Sequence, residues 1–106
     1  MLKQELRKSK FSLTIIQETS NDSIVISECI SSEGNQLKLI NLGYSRMNLE
    51  YDLYDLQGSI INHQEFKDNS IEIPLNQFPP STYILRVMNN RKPLKTCQII
   101  KKGGIY

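Results

Sequence analysis

The sequence lacks several features that would place it in a class at once. Among its 106 residues it has no Trp, two Cys, five Gly and one His. So few glycines exclude a collagen-like chain, and two cysteines are too few for a disulfide scaffold. No apolar run approaches the roughly 18–20 residues that a transmembrane helix needs. Ile, Leu, Val and Phe are plentiful enough to exclude plain disorder, and the length fits one domain with a single modest core.

A secretory leader is not visible at the start of the sequence. Residues 1–10 are charged like the beginning of a leader, but the apolar segment that follows, from Phe11 to Ile16, is too short and too interrupted. We therefore expect either a cytoplasmic chain or a mature or excised piece of a longer protein. Cys29 and Cys97 leave two possibilities open, a disulfide that closes a long loop or two free thiols.

Charge is distributed unevenly, although the formal net charge is only +2. Residues 1–10 carry four basic residues and one acidic residue. Residues 11–85 carry three basic and ten acidic residues, and residues 86–106 carry six basic residues and no acidic one. An acidic body with basic ends predicts internal charge pairing or a basic terminal strand offered to a partner. If that strand lies at a sheet edge, its lysines instead prevent edge-to-edge aggregation. Contact with phosphates is a further interpretation, but we expect no nucleic-acid partner.

Short apolar segments recur about every ten residues, and turn residues separate them. This rhythm predicts an all-β protein, an immunoglobulin-like antiparallel β-sandwich of about seven strands. Residues 11–102 would form the single domain, between a basic N-terminal tail (residues 1–10) and a C-terminal tail (residues 103–106). The eight candidate strands are residues 11–17, 23–30, 36–42, 47–56, 59–66, 70–75, 81–88 and 92–101.

One glycine and three prolines mark connections between these strands. Gly58 closes a tight turn that begins at Asp55, and we expect a positive φ there. Pro74 confines the sixth candidate strand to a sheet edge or ends it. Pro79 and the proline after it lack N–H donors, so this segment is expected to be an ordered crossover rather than a strand, with Phe78 packed on the core.

No catalytic, cofactor-binding or metal-ligating residue can be assigned. His63, the single histidine, has no Cys, Asp or Glu at zinc-ligand spacing, so a solvent-facing or hydrogen-bonded role is expected. Glu50 and Asp52 lie on the same wet face of one strand, where charged residues are ordinary rather than catalytic. Neither a nucleophile elbow nor a phosphate-binding glycine loop occurs. We therefore expect a non-enzymatic protein with no cofactor and no small-molecule substrate.

Three segments in the second half of the chain resemble one known family. Tyr51–Ile61 resembles the strand–Asp-x-x-Gly–strand hairpin of the C-terminal sorting domains of type IX secretion in Bacteroidetes. Ile71–Val87 resembles that family's next element, in which an alternating strand leads to a Leu-Pro-x-Gly-x-Tyr turn and a further strand. Cys97–Lys102 is similar to its terminal strand, in which apolar residues are followed by Lys. The resemblance spans roughly Asn48 to Lys102, about half of the chain.

Some residues match the family pattern and others depart from it. Gly58 matches the hairpin glycine, and Pro79 and Tyr83 match the crossover proline and the tyrosine after it. Phe78 replaces the usual leucine, and Ser81 stands where the family has glycine. The family's early Tyr-Pro-Asn-Pro motif is absent.

The resemblance implies a sorting or attachment domain that a protein of the export or cell-surface machinery recognises. The residues it assigns to this recognition are Gly58, Pro79, Tyr83, Lys101 and Lys102. It also implies a location between the periplasm and the cell surface or exterior. The alternative is a stand-alone periplasmic or cell-surface β-sandwich that binds a protein or glycan partner.

Overall fold

The structure is a computed structural model that describes residues 11–17, 23–31, 34–43, 49–66 and 68–103. The N-terminal tail expected over residues 1–10, and residues 104–106 of the expected C-terminal tail, lie outside the described residues. The described residues form the strands β1 (Ser12–Gln17), β2 (Ile24–Ser31), β3 (Gly34–Asn41), β4 (Leu49–Tyr54), β5 (Ile60–Phe66), β6 (Ser70–Ile73), β7 (Ser81–Asn89) and β8 (Lys92–Lys102).

These strands form two antiparallel sheets. The larger sheet has the order β1-β8-β7-β4-β5, and the smaller has the order β2-β3-β6. Alternate apolar residues of both sheets are buried in one shared core, as expected where two half-wet sheets pack face to face. The prediction of an immunoglobulin-like β-sandwich is confirmed, with eight strands in the described part of the chain rather than about seven. In that part, no helix is long and apolar enough to cross a membrane.

Two hairpin turns set the register of the larger sheet. In the β4–β5 turn, the N–H of Gly58 donates to the Asp55 carbonyl at 3.1 Å, and Gly58 has the expected positive φ of 86°. In the β7–β8 turn, Asn90 and Arg91 have φ values of 52° and 68°. Positive φ at both central residues fits the twist of the flanking strands. This turn lies one residue later than the sequence indicated.

The position of β8 corrects one expectation. This strand lies between β1 and β7, so its lysines do not protect an exposed edge. Its burial alternates along the strand, and the inward row consists of Lys95, Cys97, Ile99 and Lys101. Two of the basic charges at the C-terminal end of the chain therefore face the core. No disulfide joins Cys97 to Cys29.

The edge position predicted for the sixth strand is present. β6 pairs with β3 and forms one edge of the smaller sheet, and it ends at Ile73, directly before Pro74. The segment from Pro74 to Pro80 then crosses from the smaller sheet to the larger one, where β7 begins. Phe78 in this crossover is half-buried and packs against the core.

Candidate functional site

The residues that the resemblance assigns to recognition lie at one end of the sandwich. Gly58 is in the turn after β4, Pro79 and Tyr83 lie on either side of the start of β7, and Lys101 and Lys102 end β8. The strand pairings place the end of β4, the start of β7 and the end of β8 at the same end of the larger sheet. We call this region the hairpin end.

A groove of about 330 Å³ opens at the hairpin end. We call it the hairpin-end groove. Its main walls are formed by Asp55, Leu56, Ile61, Phe78, Pro79 and Tyr83. The lining is mostly apolar, and Leu56 keeps 68% of its surface exposed. The Phe78 and Tyr83 rings lie 6.1 Å apart between centroids in a tilted arrangement, which aromatic pairs favour.

Hydrogen bonds hold both walls of the groove. On one side, Asp55 Oδ1 accepts from the backbone N–H groups of Gln57 at 2.9 Å and Ser59 at 3.0 Å, which fixes the β4–β5 turn. On the other side, the Tyr83 hydroxyl donates to the Pro79 carbonyl. Burial raises the pKa of Tyr83, and the negative charge of Asp55 adds to this effect. Because Tyr83 is buried, it supports the crossover more than it offers a surface to a partner.

The two lysines at the end of β8 have different environments. Lys101 is 6% exposed, and its Nζ donates to the carbonyls of Leu75 at 2.6 Å and Phe78 at 2.5 Å. The same Nζ lies 4.0 Å from the centroid of the Phe11 ring. Burial lowers the pKa of Lys101. Lys102, by contrast, is exposed. Sequence reasoning missed this difference, although the two-residue alternation of β8 was a signal for it.

A second polar cluster lies on the outer face of the larger sheet and corrects the expectation of a simple wet face. Asp52 is buried, its Oδ2 accepts from the Tyr54 hydroxyl at 3.2 Å, and its Oδ1 lies 2.5 Å from His63 Nδ1. Arg86 donates to the Tyr54 hydroxyl at 2.7 Å and lies over the Tyr54 ring. We call Asp52, Tyr54, His63 and Arg86 the outer-face cluster.

The sequence predicted a solvent-facing or hydrogen-bonded role for His63, and the structure shows it hydrogen-bonded to Asp52. Its hydrogen bond with Asp52 raises the pKa of His63, and the charges of Asp52, Glu50 and Glu65 contribute in the same direction. The β4–β5 register places His63 directly opposite Asp52. Counting outward from the turn would instead pair Asp52 with Asn62, because the register shifts by one residue between Leu53 and Tyr54. Within the described residues, no group of three or more His, Cys, Asp and Glu side chains is arranged to hold a metal ion.

Comparison with a solved structure supports the fold. A DUF3244 family protein from Bacteroides vulgatus, which has an immunoglobulin-like β-sandwich fold, is similar with a TM-score of 0.61. The similarity covers 86% of this chain and 99% of that one at 14% sequence identity. At this identity it shows the fold alone. No curated protein matches the chain.

The comparison with family models is more specific. The model of the secretion system C-terminal sorting domain matches residues 34–102. This match confirms the resemblance and extends it toward the N-terminus, to the start of β3 instead of the region near Asn48. All of the residues expected to serve recognition fall within the matched range. The chain therefore belongs to the family of secretion system C-terminal sorting domains.

Proposed function

We propose that this chain is a non-enzymatic sorting and attachment domain, and that a protein of the type IX export machinery recognises it at the hairpin end. Membership in the sorting-domain family implies interaction with secretion machinery and export to the cell surface or extracellular space. This family and the immunoglobulin-like fold are typically non-enzymatic.

One observation carries the proposal. Pro79 and Tyr83, which match the family pattern, line one wall of a single mostly apolar groove, and the turn that contains the family's glycine, Gly58, supplies Asp55, Leu56 and Gln57 to its other wall. Apolar surface rimmed by polar residues is characteristic of protein–protein interaction sites. Leu56, which is exposed, makes part of this apolar surface accessible to a partner.

The bonding within the groove walls favours recognition by a partner. The β4–β5 turn and the crossover are both held by internal hydrogen bonds, so little conformational entropy is lost when a partner docks on them. Burial of the exposed apolar side chains supplies affinity. The exposed charge of Lys102 adds electrostatic steering toward an acidic partner surface.

A reporter fusion tests the proposal. The 106-residue chain is joined to the C-terminus of a periplasmic reporter that has its own leader, in a type IX-competent Bacteroidetes host and in a strain without the export channel. We expect the reporter outside the cell only in the competent host. A folded, protease-resistant fusion that stays in the periplasm of the competent host would overturn the proposal. Such a result would favour the stand-alone β-sandwich that binds a protein or glycan.

A matched pair of variants tests the surface itself. Leu56 is 68% exposed and lines the groove, whereas Leu42 is 67% exposed and lies beside Ser23, to whose carbonyl its N–H donates. Leu56→Asp is expected to reduce export strongly, and Leu42→Asp to leave it unchanged. Equal export of the two variants would exclude the hairpin-end groove as the recognition surface.

A further inference from the structure

The ammonium of Lys101 lies in an environment that is unusual for a charged group. With only 6% of the residue exposed, Lys101 is largely removed from water, and burying a charge is costly unless hydrogen bonds compensate for it. The compensation comes from two backbone carbonyls, Leu75 at 2.6 Å and Phe78 at 2.5 Å, and from the face of the Phe11 ring. In the described part of the chain, no carboxylate forms an ion pair with Lys101.

Both of these carbonyls belong to the crossover. The N–H of Phe78 donates to the Leu75 carbonyl at 3.1 Å, so Leu75 and Phe78 bracket one turn of backbone. The Lys101 ammonium therefore binds the carbonyls at both ends of this turn. Phe78 and Pro79, at the end of the turn, form one wall of the hairpin-end groove.

A second side chain fixes the same wall from β7. The Tyr83 hydroxyl donates to the Pro79 carbonyl, one residue beyond the carbonyl that Lys101 holds. The crossover backbone is thus anchored to both β7 and β8. The anchor on β8 is charged, and bonds from a charged donor are about twice as strong as neutral ones.

We propose that Lys101 is a positioning residue of the recognition surface, which shapes the hairpin-end groove by holding the Leu75 and Phe78 carbonyls and does not itself contact the partner. This inference rests on the proposed function. The two lysines at the end of β8 then have different roles. Lys101 positions the groove wall, whereas its exposed neighbour Lys102 is able to contact a partner. Lys101 is then required for recognition even though its charge is turned away from the surface.

The test compares Lys101→Met with Lys102→Met. Each removes one charge and keeps a similar chain length, at adjacent positions of the same strand. The first readout is made on the purified 106-residue chain by NMR and amide exchange. We expect Lys101→Met to shift the Phe78 and Tyr83 ring signals and to speed exchange of the crossover amides by about tenfold or more, while Lys102→Met leaves both unchanged. Undisturbed signals in Lys101→Met would overturn the inference.

The second readout is export of the reporter fusion. Lys101→Met is expected to reduce export, and Lys101→Arg, which keeps a cation able to bond the two carbonyls, to restore it. If Lys101→Met disturbs the groove but leaves export unchanged, the positioning role is wrong while the sorting role stands. If the unaltered fusion is not exported, the sorting role fails, and the NMR comparison still decides whether Lys101 shapes the groove. Should Lys101→Met not fold, Lys101→Gln, which keeps an amide donor, replaces it in both readouts.

Discussion

Replacing Gly58 with Ala separates the cost of a backbone conformation from the cost of a clash. Gly58 has a φ of 86°, and a Cβ built at this position meets nothing within 4 Å. The substitution therefore fits the available space, and only the backbone conformation opposes it. An L-residue loses about 1–2 kcal/mol in the left-handed region, and the lower entropy of the unfolded Ala chain offsets about 0.4–1 kcal/mol. The expected net loss is about 1 kcal/mol.

Urea and thermal denaturation of the 106-residue chain measure this loss. A loss of about 1 kcal/mol lowers the melting temperature of a domain of this size by about 4–8 °C. Gly58→Asn is the control, because Asn tolerates positive φ better than Ala does and adds a larger side chain to the same open space. Asn should therefore destabilise less than Ala. If Ala is neutral, or if Asn is the more harmful of the two, backbone conformation is not what requires glycine here.

Three further substitutions test other parts of the fold. A Cβ on Gly43 would lie 2.6 Å from Ser23 Oγ and 2.9 Å from Ser23 Cβ, so Gly43→Ala should cost about 1–3 kcal/mol. Adding Ser23→Gly should recover most of that loss in a urea double-mutant cycle, and strictly additive losses would contradict the clash. Leu85→Ala, at a fully buried position, should cost about 3–5 kcal/mol by calorimetry, and a loss under about 1 kcal/mol would contradict its core role. Because the pKa of His63 is raised from 6.5 by Asp52, its stabilising effect should be complete below that value and disappear as pH rises through the raised pKa. Side-chain exposure of 46% limits this effect to at most about 1 kcal/mol. Denaturation of His63→Gln and the unaltered chain at about pH 5 and about pH 8 checks the sign, and a gap that widens at high pH would refute it.

The sequence was sufficient to predict the strands and their main turns because those signals are local. Alternation along β4 and β7, the Asp55–Gly58 turn and the position of Pro74 each depend on a few neighbouring residues. The family resemblance, which also rests on short segments, pointed to residues that the fold brings to one end.

The environments of the lysines could not be predicted in the same way. Lys95 lies on the inward row of β8, and its burial is compensated by the hydrogen bond from its Nζ to the Ile24 carbonyl at 2.7 Å, across 71 positions of the chain. Lys101 depends in the same manner on carbonyls in the crossover. Composition shows that β8 is basic, but only the packing of the two sheets shows which cations find buried acceptors. The groove was missed for a similar reason, since its walls come from two separate connections.

The inward row of β8 begins and ends with a lysine, and this arrangement constrains how the strand can align with its neighbours. Lys95 meets the Ile24 carbonyl near one end of the core, and Lys101 meets the Leu75 and Phe78 carbonyls near the other, with only Cys97 and Ile99 between them. A slip of one residue would turn both ammonium groups outward and bring Thr96 and Gln98 into the core. A slip of two would move one ammonium group into the apolar interior. The two buried lysines therefore favour a single register of β8 relative to its neighbours β1 and β7.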